Sequence, residues 1–116
     1  MNSSTYHGSL KEKIDCYIHS VYKLSKNFPK EELYGITSQL RRSALSVMLN
    51  YVEGYARMRA KVHKNFIEIA YGSLQESKYL LNFSFVEKFM TEKEHNEIIA
   101  LADTIGAMLY GFIKKL

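Results

Sequence analysis

Apolar residues recur every three or four positions through most of the chain, the spacing of helices that each bury one face. The first run opens at Ser9, where Ser9-Leu-Lys-Glu12 has the spacing of a capping box. It carries Leu10, Ile14, Tyr17, Ile18, Val21 and Leu24 inward, with Lys11, Glu12, Asp15, His19 and Lys23 toward water, and it ends near residues 27–28. A second run covers residues 29–56, on the order of 40 Å of helix. Pro29 suits its first turn, where a missing N–H costs nothing, and Glu31 and Glu32 complement the positive helix end. Residues 57–62 form a connection, and residues 63–86 a third helix with Phe66, Ile69, Ala70, Ser73, Leu74, Ser77, Leu80, Leu81 and Ser84 inward. Mid-helix glycine costs about 1 kcal/mol relative to alanine, so Gly72 predicts a closely approaching neighbour. Thr91-Glu-Lys-Glu94 is a second capping-box pattern. It opens a fourth helix with Ile98, Leu101, Ala102, Ile105, Met108, Leu109, Phe112 and Leu116 in phase.

No strand pattern interrupts these runs, and the connections are short. The expected fold is all-α, an antiparallel up-down-up-down four-helix bundle. Residues 9–116 form its single domain, and residues 1–8 a disordered N-terminal tail.

The second helix departs from the usual amphipathic pattern. Within residues 39–57 it is apolar almost all the way round. One narrow stripe breaks this: Gln39, Arg42/Ser43, Ser46, Asn50, Glu53 and Arg57. An ordinary surface helix has a wide face of Lys and Glu. A solvent face is the plain alternative for this stripe, but its narrowness and its amides and hydroxyls favour a buried or half-buried network. Buried polar groups need partners, and Arg42, Arg57, Ser73 and Glu76 are candidates to meet Asn50 and Glu53, with Ser46 in the same network. Such a helix needs cover on several sides, one from its own bundle and another from a neighbouring copy.

Composition refines this picture. With 116 residues, 47% hydrophobic and 24% charged, the chain fits one folded domain. Cys16 is the only cysteine, so no internal disulfide forms, which fits a reducing cytoplasm. Its expected role is a small buried or boundary residue. No secretory pattern opens the chain and no apolar run approaches the roughly 18 residues that span a bilayer. The expectation is a cytoplasmic protein without a membrane partner.

Charge is unevenly spread. Residues 41–64 hold Arg41, Arg42, Arg57, Arg59, Lys61 and Lys64 against Glu53 alone, a net +5. The rest of the chain carries −1, from ten basic and eleven acidic residues. Such a segment suits a polyanion, nucleic acid above all, through phosphate contacts with little sequence preference. The candidate contacts are Arg41, Arg57, Arg59, Lys61 and Lys64. Tyr51 and Tyr55 lie beside them and could stack on bases, although packing is the plainer role. A solvated loop and an acidic protein partner are the competing readings.

Catalytic signatures are sparse. No glycine-rich phosphate loop and no nucleophile–base spacing is present. Glu92-x-x-His95 has the letters of a carboxylate-bundle metal motif, but a di-metal site needs two such motifs. No metal, cofactor or catalytic residue is expected. Arg57-x5-His63 resembles the Arg/His pair of the all-α HEPN ribonucleases, but Met58 follows the arginine and the pair straddles a connection. An Arg57/His63 ribonuclease therefore stays a minor alternative.

Two motifs carry a wider resemblance. Gln39-Leu-Arg-Arg42-Ser-Ala-Leu-Ser46-Val-x-x-Asn50-x-x-Glu53-Gly54-x-x-Arg57 resembles the core motif of the small four-helix proteins first noticed in intervening sequences of bacterial large-subunit rRNA genes. Phe66-x-x-x-Ala70-x-Gly72-Ser73-Leu74-x-Glu76 is similar to the second motif of that family. The resemblance covers about residues 28–116. It implies a non-enzymatic bundle that assembles as a ring-like homopentamer. It also implies kinship with accessory proteins of diversity-generating retroelements, which bind nucleic acid and a reverse transcriptase. Tyr51-Val52, Tyr55-Ala56, Met58 and Val62 depart from the family's commoner residues, which weakens transfer of any particular nucleic-acid partner.

Overall fold

The computed structural model describes residues 3–116, with side chains from Tyr6 onward. Four long helices make up nearly all of it: α1 (Ser3–Ser25), α2 (Ser38–Ala56), α3 (Ala60–Val86) and α4 (Glu92–Lys115). Consecutive helices pack side by side and α4 returns against α1, closing a four-helix bundle. Cross-helix contacts fix the antiparallel sense. Tyr6 meets Met108, Ser46 meets Ser73, and Asn82 meets His95.

Each helix buries the face that its spacing predicts. Leu10, Ile14, Tyr17 and Val21 of α1 are fully buried, as are Leu40, Ala44, Val47 and Tyr51 of α2. Ile67, Leu74 and Leu81 meet Ile105 and Leu109 in the same core. The buried serine and tyrosine hydroxyls are paired. The Tyr17 hydroxyl lies 2.7 Å from Ser77 Oγ, which itself donates to the Leu74 carbonyl at 2.8 Å. The serine proton is thereby committed, so Tyr17 is the donor. Burial pushes the Tyr17 pKa up to about 12.

Helix ends follow local chemistry where side chains can reach. Thr91 Oγ1 accepts from the Glu94 N–H at 3.1 Å, and the Glu94 carboxylate accepts from the Thr91 N–H at 2.8 Å. This is the capping box foreseen for α4. At the end of α3, Phe89 N–H bonds to the Ser84 carbonyl and Lys88 N–H to that of Phe85. Lys88 takes a φ of 67° in this Schellman arrangement, a position that usually falls to glycine.

Several expectations are corrected. Helix α1 begins at Ser3, so Ser9 is interior and caps nothing; Met1 and Asn2 lie outside the described residues. Residues 3–8 have little apolar periodicity of their own. Their helix is held from outside, by Tyr6 donating to the Met108 carbonyl at 2.7 Å and by His7 docking on Tyr51. Helix two is not continuous from Pro29. A 3-10 turn at Lys30–Glu32 and a π turn at Leu33–Thr37 precede α2, and Gly35 (φ −110°, ψ −111°) breaks the path. Helix α3 starts at Ala60, so only residues 57–59 connect it to α2. Cys16 is exposed, and Ile69 is half exposed rather than inward. Gly72 has no neighbour within 4 Å of a built Cβ; the close approach is at Gly54 instead. Helix α4 is long and apolar enough to cross a membrane by length and composition alone. In the bundle it places Ile98, Ala102, Ile105 and Leu109 in the core and leaves its other faces at the surface.

Candidate nucleic-acid interface

The antiparallel fold collects positive charge at one end. The start of α1, the α2–α3 connection and the end of α4 all lie there, as the Tyr6–Met108 and His7–Tyr51 contacts show. Residues 6–11, 48–72 and 108–116 make up this half. They contain seven cations (Lys11, Arg57, Arg59, Lys61, Lys64, Lys114, Lys115) and two carboxylates, Glu53 and Glu68. The net charge of +5 compares with −1 for the remaining nine cations and ten carboxylates.

This pole differs in membership from the basic segment of the sequence. Arg41 and Arg42 sit about 15 residues earlier in α2, on the order of 22 Å along the axis. Arg41 is also occupied: its Nε donates to Ser25 Oγ at 2.8 Å and its guanidinium covers the Tyr22 ring at 4.8 Å. Its place is taken by Lys11, Lys114 and Lys115, which the sequence reading missed. The topology carries their signal, because an up-down-up-down order puts both chain ends beside the second connection.

Arg57 is tethered within the pole. It pairs with Glu53 at 2.8 Å and lies over the Phe66 ring at 5.4 Å. Arg59 and Lys61 are exposed and Lys64 is half-buried, and none of the three makes an ion pair among the described residues. Between Arg57 and Arg59, Met58 is 101% exposed.

Beneath the pole lies an aromatic cluster. His7 Nδ1 shares a 2.6 Å hydrogen bond with the Tyr51 hydroxyl, and its ring stacks on Tyr55 with centroids 3.6 Å apart. Desolvation lowers the His7 pKa, helped by the Lys11 charge. Burial, then Tyr55 and Tyr6, pushes the Tyr51 hydroxyl up. Tyr51 is fully buried, so its ring belongs to the core and not to a stacking platform. His63 packs against Phe112 at 5.4 Å and Tyr55 at 5.9 Å. Its Nε2 is buried without a hydrogen-bonding partner, whereas the half-exposed Arg57 is paired with Glu53.

The polar stripe of α2 lies along the seam with α3. Ser46 Oγ and Ser73 Oγ are 2.9 Å apart, and Asn50 Nδ2 donates to both the carbonyl and the hydroxyl of Ser46 at 2.9 Å. Glu53 and Arg57 make a separate pair. Arg42 and Glu76 are exposed and join neither group. Beside this seam, Leu45, Leu49 and Val52 of α2 and Ile69 of α3 are 38%, 66%, 43% and 51% exposed. Leu45, Leu49 and Val52 point directly away from the core face of α2, where a surface helix normally carries charge.

Other chemistry is thin. Among the described residues, no three His, Cys, Asp or Glu side chains come together as a metal site. His95 donates from Nε2 to Asn82 Oδ1 at 2.8 Å and stacks on Phe85. An open groove of about 410 Å³ runs between α1 and α4 at the other end, lined by Ser20, Lys23, Glu94, Glu97 and Ile98 among others.

Comparison with known proteins agrees with this architecture. A crystal structure of a protein of unknown function from the S23 ribosomal protein family of Bacteroides thetaiotaomicron superposes with a TM-score of 0.87 at 21% identity. The match covers 94% of this chain and 98% of that one, which establishes the shared fold. Among curated proteins, none matches. Residues 11–111, which include both motifs of the α2–α3 hairpin, match the 23S rRNA-intervening sequence proteins, and the chain belongs to that family.

Proposed function

We propose that this protein is a non-enzymatic, homo-oligomeric scaffold that binds nucleic acid through its cationic pole. The observation that carries the reading is the +5 charge gathered from three separate segments at one end. Phosphates compete with counterions for such a pole, so binding is dominated by the backbone and weakens with salt. If about five cations of one pole engage, log K falls with log salt at a slope of about −4.5, some 500-fold between 50 and 200 mM.

The exposed apolar face of α2 and α3 supports assembly. Leu45, Leu49, Val52 and Ile69 suit burial against another copy, and the family resemblance adds a ring-like homopentamer. A ring sets several poles side by side and raises avidity without new contacts. The same resemblance adds a reverse transcriptase as a protein partner, and the lone cysteine suits a cytoplasmic setting.

Fluorescence anisotropy with labelled RNA and DNA across a salt series tests the binding. Replacing Arg59, Lys61, Lys64, Lys114 and Lys115 by Ala is expected to abolish it. Salt-independent binding, or none at 50 mM, would overturn the reading and favour an acidic protein partner. Light scattering tests the assembly: a 13.5 kDa monomer at micromolar concentration refutes it. A reverse transcriptase that stays bound after nuclease treatment supports the accessory role.

A further inference from the structure

Met58 occupies the apex of the cationic pole, in a tight connection. The connection is three residues long, with extended backbone at Arg57 (ψ 138°) and Arg59 (ψ 124°). Arg57 N–H is bonded to the Gly54 carbonyl, and His63 N–H to that of Arg59. Below it, Gly54 lets the two helices meet closely: a Cβ there would stand 2.8 Å from Phe66 Cβ and 3.1 Å from the His63 carbonyl. A short turn therefore holds out one unbranched apolar side chain, 101% exposed, beside Arg59, Lys61 and Lys64. Tyr34, the next most exposed large apolar residue at 93%, sits at the other end beside Glu31 and Glu32, where phosphates are repelled.

Resting on the nucleic-acid reading above, we infer that Met58 is a wedge that enters a base step of a bound duplex while the neighbouring cations hold the phosphates on either side. Apolar side chains, methionine among them, part stacked bases in this way when cations anchor the backbone. A thioether reads no base edge, so the contact discriminates by deformability. Pyrimidine–purine steps, TA in particular, open most easily. An anionic membrane is the other surface that pairs cations with apolar groups. Helices reach this pole end-on, however, and offer a point rather than an apolar helix face that could lie along lipid.

The test uses the whole 116-residue chain with 20-base-pair duplexes of DNA and of RNA, each carrying 2-aminopurine beside a central TA step (UA in the RNA). Binding is expected to raise the 2-aminopurine emission at least twofold, through unstacking. Met58→Ala is expected to lose that rise and bind three- to tenfold more weakly with the same salt slope, and Met58→Leu to restore both. Because Met58 touches nothing, circular dichroism of these variants should match the parent. Unchanged emission and affinity in Met58→Ala overturn the wedge and leave electrostatic binding intact. No salt-sensitive duplex binding by the parent overturns both. Met58-dependent binding to phosphatidylserine vesicles in place of duplex overturns the wedge in favour of a membrane surface.

Discussion

Gly54→Ala tests the closest approach at any of the described glycines, because two effects of known sign oppose one another there. In an open helical position the substitution stabilises by about 1 kcal/mol, since alanine has less backbone freedom to lose. At Gly54 the new methyl would meet Phe66 Cβ at 2.8 Å, the His63 carbonyl at 3.1 Å and Ile67 Cδ1 at 3.1 Å. The first two atoms are fixed to the backbone of α3, so rotamer changes cannot relieve them and the helices must part. Overpacking of this kind costs about 1–3 kcal/mol. With atoms this rigid the upper part of that range applies, leaving a net destabilisation of about 1–2 kcal/mol. Gly72→Ala is the matched control, as nothing lies within 4 Å of its Cβ position. It should stabilise an isolated chain by about 0.5–1 kcal/mol. Thermal unfolding followed by circular dichroism would separate the two, at roughly 5 °C per kcal/mol for a domain of this size. Several protein concentrations are needed, because association raises the apparent stability by mass action. A Gly54→Ala protein as stable as its parent would refute the close-packing argument. A Gly72→Ala loss seen only where copies associate would place a neighbouring copy at that face.

Two further outcomes follow from particular residues. Lys88→Gly should stabilise the protein by about 1 kcal/mol in urea unfolding, because φ 67° strains any side chain but suits glycine; an unchanged midpoint would show that the turn relaxes. His7 should make stability depend on pH near neutrality. Its folded pKa lies below the ordinary value of about 6.5, so the unfolded chain takes up its proton first. The His7 contribution is therefore complete above about pH 6.5 and declines as pH falls toward the folded pKa. His7→Gln should flatten urea midpoints across that window, and a parent that gains stability on acidification there would contradict the assignment.

The sequence by itself determined the helices and their inward faces, since a 3.6-residue period is a local property of the chain. Leu10, Ile14 and Tyr17 in α1, or Ile98, Ala102 and Ile105 in α4, are readable without knowing what they meet. The Thr91–Glu94 cap was equally legible, because both partners lie within one turn. Family membership rested on the same kind of evidence, two motifs at fixed spacing. Only the tertiary structure decided what depended on distant residues. The helix of residues 3–8 exists because Tyr6 and His7 find Met108 and Tyr51, more than 40 positions away. The break before α2 depends on Gly35, whose tolerance of many conformations says nothing of which one is used. The tight glycine is Gly54 rather than Gly72, since neither helix alone shows where the other crosses it. Charge followed the same division. Composition revealed a basic segment. The antiparallel path separated Arg41 and Arg42 from it and brought in Lys11, Lys114 and Lys115, because long-range electrostatics follows position in space rather than order along the chain.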